Sequence, residues 1–372
     1  ADTDVALSAD APPSIRFGAE FARWIRVDAP AMVPAMANVP AREQDPATII
    51  YSSGTTGTPK GIVQPHGYRS RLMSGGAARG YTADSVTLLA TPLYSNTTLA
   101  SLFQTVGAGG TVVLMPKFDA GQWLALAARH RVTHAMLVPV MIDRILAHPN
   151  FDRTDLSAFR MKYCTSAPFS AALKRQVLDR WPGGLIELYG MTEGGAAFVL
   201  AAHQFPDKLH TVGRPAQGSE VRILDEQDRD VPPGETGEIV GRAPGMMIGY
   251  HNRPDATAEC RWTAPDGSVW QRTGDIGRID EDGFLVIVDR KKDMIISGGF
   301  NIYPADIEKI LSEHPAIRDA SVVGVPDARW GETPVAYVVA RDAGRNPAEL
   351  GAEIKAWLNT RVGKTQRVAD LV

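Results

Sequence analysis

Residues 51–61 read Tyr51-Ser52-Ser53-Gly54-Thr55-Thr56-Gly57-Thr58-Pro59-Lys60-Gly61, directly after the β-branched run Thr48-Ile49-Ile50. Small residues let a backbone approach an anion closely, and successive N–H groups can form a concave nest for phosphate oxygens. The hydroxyls of Ser52, Ser53, Thr55, Thr56 and Thr58 add donors, and Lys60 adds a compact cation. The order predicts a strand, this loop, a second strand at 61–63 and a helix over 69–78. A Walker A loop needs Gly, four residues, then Gly-Lys-Ser/Thr, whereas Gly57 is followed here by Thr58-Pro59-Lys60-Gly61. That spacing disfavours a kinase or P-loop NTPase.

Outward from the loop, strand patterns at 111–115 and 135–138 alternate with helical patterns at 123–130 and 171–180. Such alternation predicts an α/β domain with a mostly parallel sheet. The texture changes near Val212. Strands at 221–224, 237–240 and 284–288 are separated by Pro232-Pro233-Gly234 and Asp282-Gly283, which predicts a β-rich subdomain over about 212–289. After Asp293 the pattern becomes a small α+β unit, with helices at 304–313 and 348–360 flanking strands at 320–325 and 335–339. Residues 1–45 are Pro/Ala-rich and weakly periodic, a partial element. The expected domains are therefore 1–289 and 293–372.

A chain of 372 residues with 44% hydrophobic and 22% charged residues has the composition of a soluble multidomain protein. Its net charge of −3 comes with no basic stripe, so no nucleic-acid partner is expected. The apolar runs are too short for an integral membrane segment, and the acidic start Ala1-Asp2-Thr3-Asp4 is not a secretory signal. Cys164 and Cys260 read as two reduced thiols, which with the rest predicts a cytoplasmic location. The eight His residues show no paired helical ligand spacing, so a metal-dependent hydrolase has no support.

The loop at 51–61 resembles the signature loop of the adenylate-forming enzymes, the superfamily of acyl- and aryl-CoA synthetases, peptide-synthetase adenylation domains and firefly luciferase. Further segments match that family in order. Glu187-Leu188-Tyr189-Gly190-Met191-Thr192-Glu193 is similar to its second signature. By that resemblance Tyr189 lies against adenine, Thr192 bonds the α-phosphate, and Glu193 with Thr56 holds Mg²⁺. An aromatic face suits a purine, and a hard cation takes carboxylate and phosphate oxygens. Thr273-Gly274-Asp275 resembles the ribose-binding motif, with Arg290 as a second ribose contact. Residues 294–308, Met294-Ile295-Ile296-Ser297-Gly298-Gly299-Phe300-Asn301-Ile302-Tyr303-Pro304 then Asp306-Ile307-Glu308, resemble the family's post-hinge motif. The resemblance makes 290–292 a hinge centred on Lys292, makes 293–372 a mobile lid, and brings Gly298-Gly299 close to the pantetheine arm of CoA.

Two segments depart from the family pattern. Thr91-Pro92-Leu93-Tyr94-Ser95-Asn96 has Ser95 where the family usually has His. Cys164-Thr165-Ser166-Ala167-Pro168 stands where an adenine-side Gly/Ala-rich segment is common. Tyr94, Ser95, Met136, Val138, Cys164, Gly190 and Met191 are the candidate acyl-pocket residues. Thr91 to Gly110 contains no acidic residue to hold an α-ammonium group, which favours a plain aromatic or aliphatic carboxylate. Only about 50 residues precede the loop, and the family's C-terminal catalytic lysine is expected beyond Val372, not at Gly363-Lys364-Thr365. The chain is therefore expected to lack part of both ends of a typical family member.

The resemblance implies an acid–CoA ligase with ATP, Mg²⁺ and CoA as co-substrates or cofactors, and Lys60, Thr192, Glu193 and Lys292 as the residues that drive its steps. Alternatives stay open: an acyl-AMP ligase acting on a carrier-protein thiol, or a non-catalytic nucleotide-binding protein. The oligomeric state is open too, with a homodimer among the outcomes.

Overall fold

Short aliphatic runs alternate with helices between residues 86 and 190, and they close into a seven-stranded sheet. Its edge-to-edge order is Thr111–Leu114, Val86–Leu89, His134–Leu137, Met161–Cys164, Gly184–Gly190, Ala197–Ala201, Arg214–Pro215. The first five strands are parallel and the last two antiparallel. The computed structural model describes residues 40–52, 59–342 and 344–372. The chain divides into Ala1–Arg42 and Glu43–Val372, and the fold described is that of the second unit.

The strand Val86–Leu89 connects first to Thr111–Leu114 on one side, and the chain then returns to His134–Leu137 on the other. That reversal makes a topological switch point, where open α/β sheets leave a crevice at the carboxyl ends of their strands. Alternating side chains feed two cores. Leu88, Ala135, Leu137, Cys164 and Leu185 pack with Trp123, Ile142, Val177 and Trp181 from the helices Ala120–Arg129, Pro139–Leu146 and Ala171–Arg180 and the turn that ends the last of them. Met136, Tyr163, Ile186 and Leu188 pack with Tyr81 and Ala100 on the other side, beneath the helix Asn96–Gly107.

The stretch around the 51–61 loop departs from the expected βα pattern. Pro46–Ser52 and Lys60–Pro65 pair antiparallel, with Ser52 opposite Lys60, and Gly249–Tyr250 adds a third antiparallel strand. Seven residues can join antiparallel neighbours but are too few for a parallel crossover. The helix expected over 69–78 starts at His66, directly after Pro65, and stops at Ser74 before Gly75-Gly76.

The β-rich part is a five-stranded antiparallel sheet of Glu220–Leu224, Gly237–Arg242, Arg261–Thr263, Val269–Ile279 and Leu285–Arg290. Residues 291–293 turn, and the C-terminal sheet opens at Ile295–Ser297. That sheet joins the hairpin Ile317–Asp327/Gly331–Ala340 and packs Val322 and Ala336 against Ile307, Leu311, Ile354 and Leu358 of the helices Pro304–Ser312 and Pro347–Asn359.

Two buried lysines brace the large sheet. Lys162 donates to the carbonyls of Trp181 at 3.0 Å, Pro182 at 2.5 Å and Gly183 at 2.8 Å, and its burial pulls its pKa down to about 7. Lys174 contacts the Glu187 carboxylate and donates to the carbonyls of Leu209 at 2.8 Å and Thr211 at 3.0 Å. Burial lifts the Glu187 carboxyl to about 7, against the pull of Lys174. Lys174→Met strands that carboxylate and is expected to lower stability by about 3–5 kcal/mol, read as a drop in the urea midpoint. Because the folded carboxyl sits above its unfolded value, the loss should be largest at high pH and shrink on acidification. Adding Glu187→Leu should restore most of it; no restoration at any pH contradicts the pairing.

Candidate active site

Four of the parallel strands end in segments that carry candidate site residues. Thr91 to Ser95 follow Val86–Leu89, Val138 follows His134–Leu137, Thr165 to Pro168 follow Met161–Cys164, and Met191 to Glu193 follow Gly184–Gly190. Parallel pairing puts these ends on one edge of the sheet. Tyr94 is 80% exposed there, and Ser166, Ala167 and Pro168 are exposed. The Thr97 and Ser166 hydroxyls lie 2.7 Å apart, tying the first segment to the third. Ser166 sits at φ +76°, a left-handed conformation that costs a non-glycine residue energy and that the surrounding bonds must hold.

The strand Gly184–Gly190 also reaches the antiparallel sheet. The Tyr189 hydroxyl donates to Asp275 Oδ2 at 2.6 Å. Arg290 is the ladder partner of Asp275, and its Nε lies 3.6 Å from Asp275 Oδ1. The strand before Asp275 is fixed by Thr273, whose hydroxyl donates to the Ile239 carbonyl at 2.8 Å and accepts from the Asp275 amide at 3.0 Å. A carboxylate has about four acceptor positions, so Tyr189 and Arg290 leave Asp275 room for further donors. Burial raises the Asp275 pKa, with Tyr189 and Arg290 pulling it down. Burial and the Asp275 charge raise that of Tyr189, which therefore stays protonated as the donor.

Three residues beyond that strand, Glu193 meets a second cluster. Tyr250 donates its hydroxyl to Glu193 Oε1 at 2.7 Å, and Lys60 Nζ sits 5.0 Å from the centroid of the Tyr250 ring. The Glu193 carbonyl accepts from the Met247 amide at 2.7 Å, and the Thr192 carbonyl from the Gln64 side chain at 2.8 Å. The chain after Glu193 passes through Gly194 and Gly195 at φ +79° and +96°. A Cβ on Gly195 would stand 2.6 Å from Gln271 Cβ, so that turn admits only glycine.

Tyr189, Asp275 and Arg290 on one side, and Lys60, Glu193 and Tyr250 on the other, thus flank one short segment. Ser53, Gly54, Thr55, Thr56, Gly57 and Thr58 lie outside the described residues; Ser52 and Lys60 bracket them as ladder partners. Several expected site residues stand elsewhere. Glu187 is buried on Lys174, Cys164 lies in the first core, and Met136 lies in the second beside Tyr81 and Tyr163, so these side chains point into the protein. Leu188 packs in the second core, whereas Gly190 is exposed and Met191 is half-buried at the strand end. Lys292 is exposed in the turn before the C-terminal sheet, 3.7 Å from Asp293. Gly298 and Gly299, at φ +58° and +81°, turn the hairpin Ile295–Ser297/Phe300–Ile302, with Gly298 against Trp330.

Among the described residues no group of three or more His, Cys, Asp or Glu could hold a metal ion. The lone carboxylate of Glu193 suits a cation that takes its other ligands from phosphate and water, as Mg²⁺ does. Reading the sequence did not single out Tyr250 or Gln64. The cue for Tyr250 was the turn-forming run Gly249-Tyr250-His251-Asn252-Arg253-Pro254, but the partner of its hydroxyl is 57 positions away.

Residues 5–251 match the AMP-binding enzyme family, and residues 306–372 match the AMP-binding enzyme C-terminal domain. Among curated relatives, feruloyl-CoA synthase from Amycolatopsis is 40% identical over 330 residues, covering 87% of this chain and 65% of the relative. Among solved structures, ATP-bound MatB from Rhodopseudomonas palustris superposes with a TM-score of 0.80 at 31% identity, covering 89% of this chain and 64% of that one. The o-succinylbenzoate CoA synthetase of Bacillus subtilis, complexed with its acyl-adenylate intermediate, gives 0.77 at 32% identity, covering 89% and 66%. The chain thus spans just under two thirds of the length of the first of these relatives.

Tyr189→Phe removes a hydrogen bond that favours ionised Asp275. The Asp275 pKa is expected to rise further, read by carboxyl ¹³C NMR titration; an unchanged or lowered value contradicts this account of the cluster.

Proposed function

The chain belongs to the AMP-binding enzyme family, and on that premise we propose that it joins a carboxylic acid to the thiol of CoA at the expense of ATP. In the first half-reaction the carboxylate oxygen attacks the α-phosphorus, giving an acyl-adenylate and pyrophosphate. In the second the CoA sulfur attacks the acyl carbonyl, and AMP leaves. The observation that carries this reading is the pair of clusters flanking residues 189–193. Asp275 and Arg290 would hold the ribose hydroxyls, the Tyr189 ring would border adenine, and Thr192 would bond the α-phosphate.

Phosphoryl chemistry of this kind is mostly positioning and charge neutralisation. Lys60 and the hydroxyls of the loop at 52–58 would take the β- and γ-phosphates. Glu193, with Thr56, would hold Mg²⁺, which supplies further neutralisation of phosphate charge. For the acid, the exposed Tyr94 and the half-buried Ser95, Val138 and Met191 at the strand ends are the candidate walls, whereas the side chains of Met136 and Cys164 lie in the cores on opposite faces of the sheet. The absence of an acidic residue from Thr91 to Gly110 and the likeness to feruloyl-CoA synthase favour an aromatic or aliphatic acid without an ammonium group. Residues 293–372 would act as the lid that swings about Lys292 between the half-reactions, bringing the Gly298-Gly299 turn to the CoA arm.

No helix among the described residues is long and apolar enough to cross a membrane. A cytoplasmic location fits the proposal, because ATP and CoA are its co-substrates. A carrier-protein thiol in place of CoA is the second reading, since the adenylation half-reaction is the same.

An acid library incubated with the protein, ATP, Mg²⁺ and CoA should release AMP, not ADP, and form thioester with at least one aromatic or aliphatic acid. AMP release that needs a carrier protein favours the second reading; no AMP with any acid and either acceptor contradicts both. Asp275→Ala should weaken ATP binding by about 1.5–3 kcal/mol in calorimetry, and unchanged affinity removes the ribose role. Lys292→Pro should slow thioester formation more than ATP–pyrophosphate exchange, because proline fixes the backbone torsion there. Equal loss in both refutes the hinge.

A further inference from the structure

We propose that Tyr250 is a positioning residue of the nucleotide site, which holds the Glu193 carboxylate and the Lys60 ammonium in register so that both act on one polyphosphate. The inference rests on the reading of Lys60 and Glu193 given above and deepens it. Tyr250 is half-buried, and besides the Cys260 thiol near its hydroxyl it makes two contacts of different kinds. Its hydroxyl donates to Glu193 Oε1 at 2.7 Å, which leaves Glu193 Oε2 for a cation. Its ring carries Lys60 Nζ at 5.0 Å from the centroid, within range for a cation–π contact.

The backbone around Tyr250 leaves little freedom for any other arrangement. Gly249 and Tyr250 pair with Val63 and Ile62 of the strand that Lys60 begins. The His251 amide donates to the Gly61 carbonyl at 2.7 Å, the Ile248 amide to the Val63 carbonyl at 2.9 Å, and the Met247 amide to the Glu193 carbonyl at 2.7 Å. The Tyr250 amide donates to the Thr257 hydroxyl at 2.8 Å, and Gly249 packs against the same threonine. One short segment therefore anchors both the lysine strand and the glutamate turn, and the Tyr250 side chain extends that bridge to the two charged groups. Preorganised charge of this kind acts on a phosphate without reorganising as the ligand arrives.

The test separates the two contacts by calorimetry of ATP binding to the full 372-residue chain, with Mg²⁺ and with EDTA. Tyr250→Phe keeps the ring and loses the donor. It should weaken Mg²⁺–ATP binding roughly tenfold and change Mg²⁺-free binding less than about twofold. Tyr250→Leu also loses the ring, and should weaken Mg²⁺-free binding by a further factor of roughly two to five. Placing Tyr250→Phe on Glu193→Gln should add little further loss, since the coupled partner is already altered. Thermal unfolding of each variant reports folding separately. Mg²⁺–ATP binding by Tyr250→Phe that equals or exceeds that of the unsubstituted protein overturns the inference. So do equal losses with and without Mg²⁺, and full additivity with Glu193→Gln. Absence of ATP binding by the unsubstituted protein is a different failure: it removes the nucleotide reading, and this inference with it.

Discussion

Three backbone hydrogen bonds from residues 247–251 hold together pieces of chain that belong to different sheets. The Met247 amide bonds the Glu193 carbonyl, the Ile248 amide bonds that of Val63, and the His251 amide bonds that of Gly61. The first partner lies beyond the large, mostly parallel sheet, and the other two lie in the small antiparallel sheet. The Tyr189–Asp275 bond adds the β-rich sheet to the same junction. Each sheet alone would present an incomplete set of groups: hydroxyls and a glutamate at strand ends, a lysine beside a loop, or an aspartate facing an arginine. The junction brings these groups to one short segment, residues 189–193. It is also mostly main-chain work.

Much of this was legible in the sequence because the signals were local. The helix at residues 171–180 is found at the expected bounds, and the strands at 111, 221 and 237 lie within a residue or two of expectation at their starts, since each is set by its own periodicity and by flanking Gly or Pro. The conjunction of Asp275 and Arg290 followed from motif order, and the two prove to be ladder partners. What failed to show was pairing. Nothing in residues 46–65 distinguishes a parallel from an antiparallel partner, and the strand Gly249–Tyr250 is too short to have a period of its own. The partners of individual side chains were hidden for a related reason. Glu187 and Tyr189 stand on one strand, two residues apart, yet the first is buried on Lys174 and the second reaches Asp275. Their partners lie on other elements, and only the assembled fold reveals which neighbour each one meets.

Burial and charge are distributed unevenly between the scaffold and the site. Lys162, Lys174 and Glu187 are almost fully buried, and each has partners that compensate its desolvation, so they anchor strands and do not meet solvent. Asp275 is only partly buried, with spare acceptor positions, which suits it to receive an incoming donor. The C-terminal unit meets the β-rich sheet where the helix Pro304–Ser312 lies against the strand Leu285–Arg290, and polar contacts join them. Asp289 Oδ2 accepts from the Ala305 amide at 2.9 Å, and Asn301 donates to Glu226 at 3.2 Å. Lys291 stays with the β-rich sheet through Glu238 at 2.7 Å, whereas Lys292 contacts only its neighbour Asp293 among the ion pairs of the described residues. Polar contacts on either side of an exposed turn exchange for water at small net cost, which is compatible with the proposed swing of residues 293–372.

The account stands or falls on one nucleotide being held by all of these elements at once. A crystal structure of the protein with Mg²⁺ and a non-hydrolysable ATP analogue tests that most directly. The ribose should lie within hydrogen-bonding distance of Asp275, with the base beside Tyr189 and the phosphates between Lys60 and Glu193. A nucleotide bound elsewhere, or one whose ribose and phosphates engage only one of the two clusters, would contradict it.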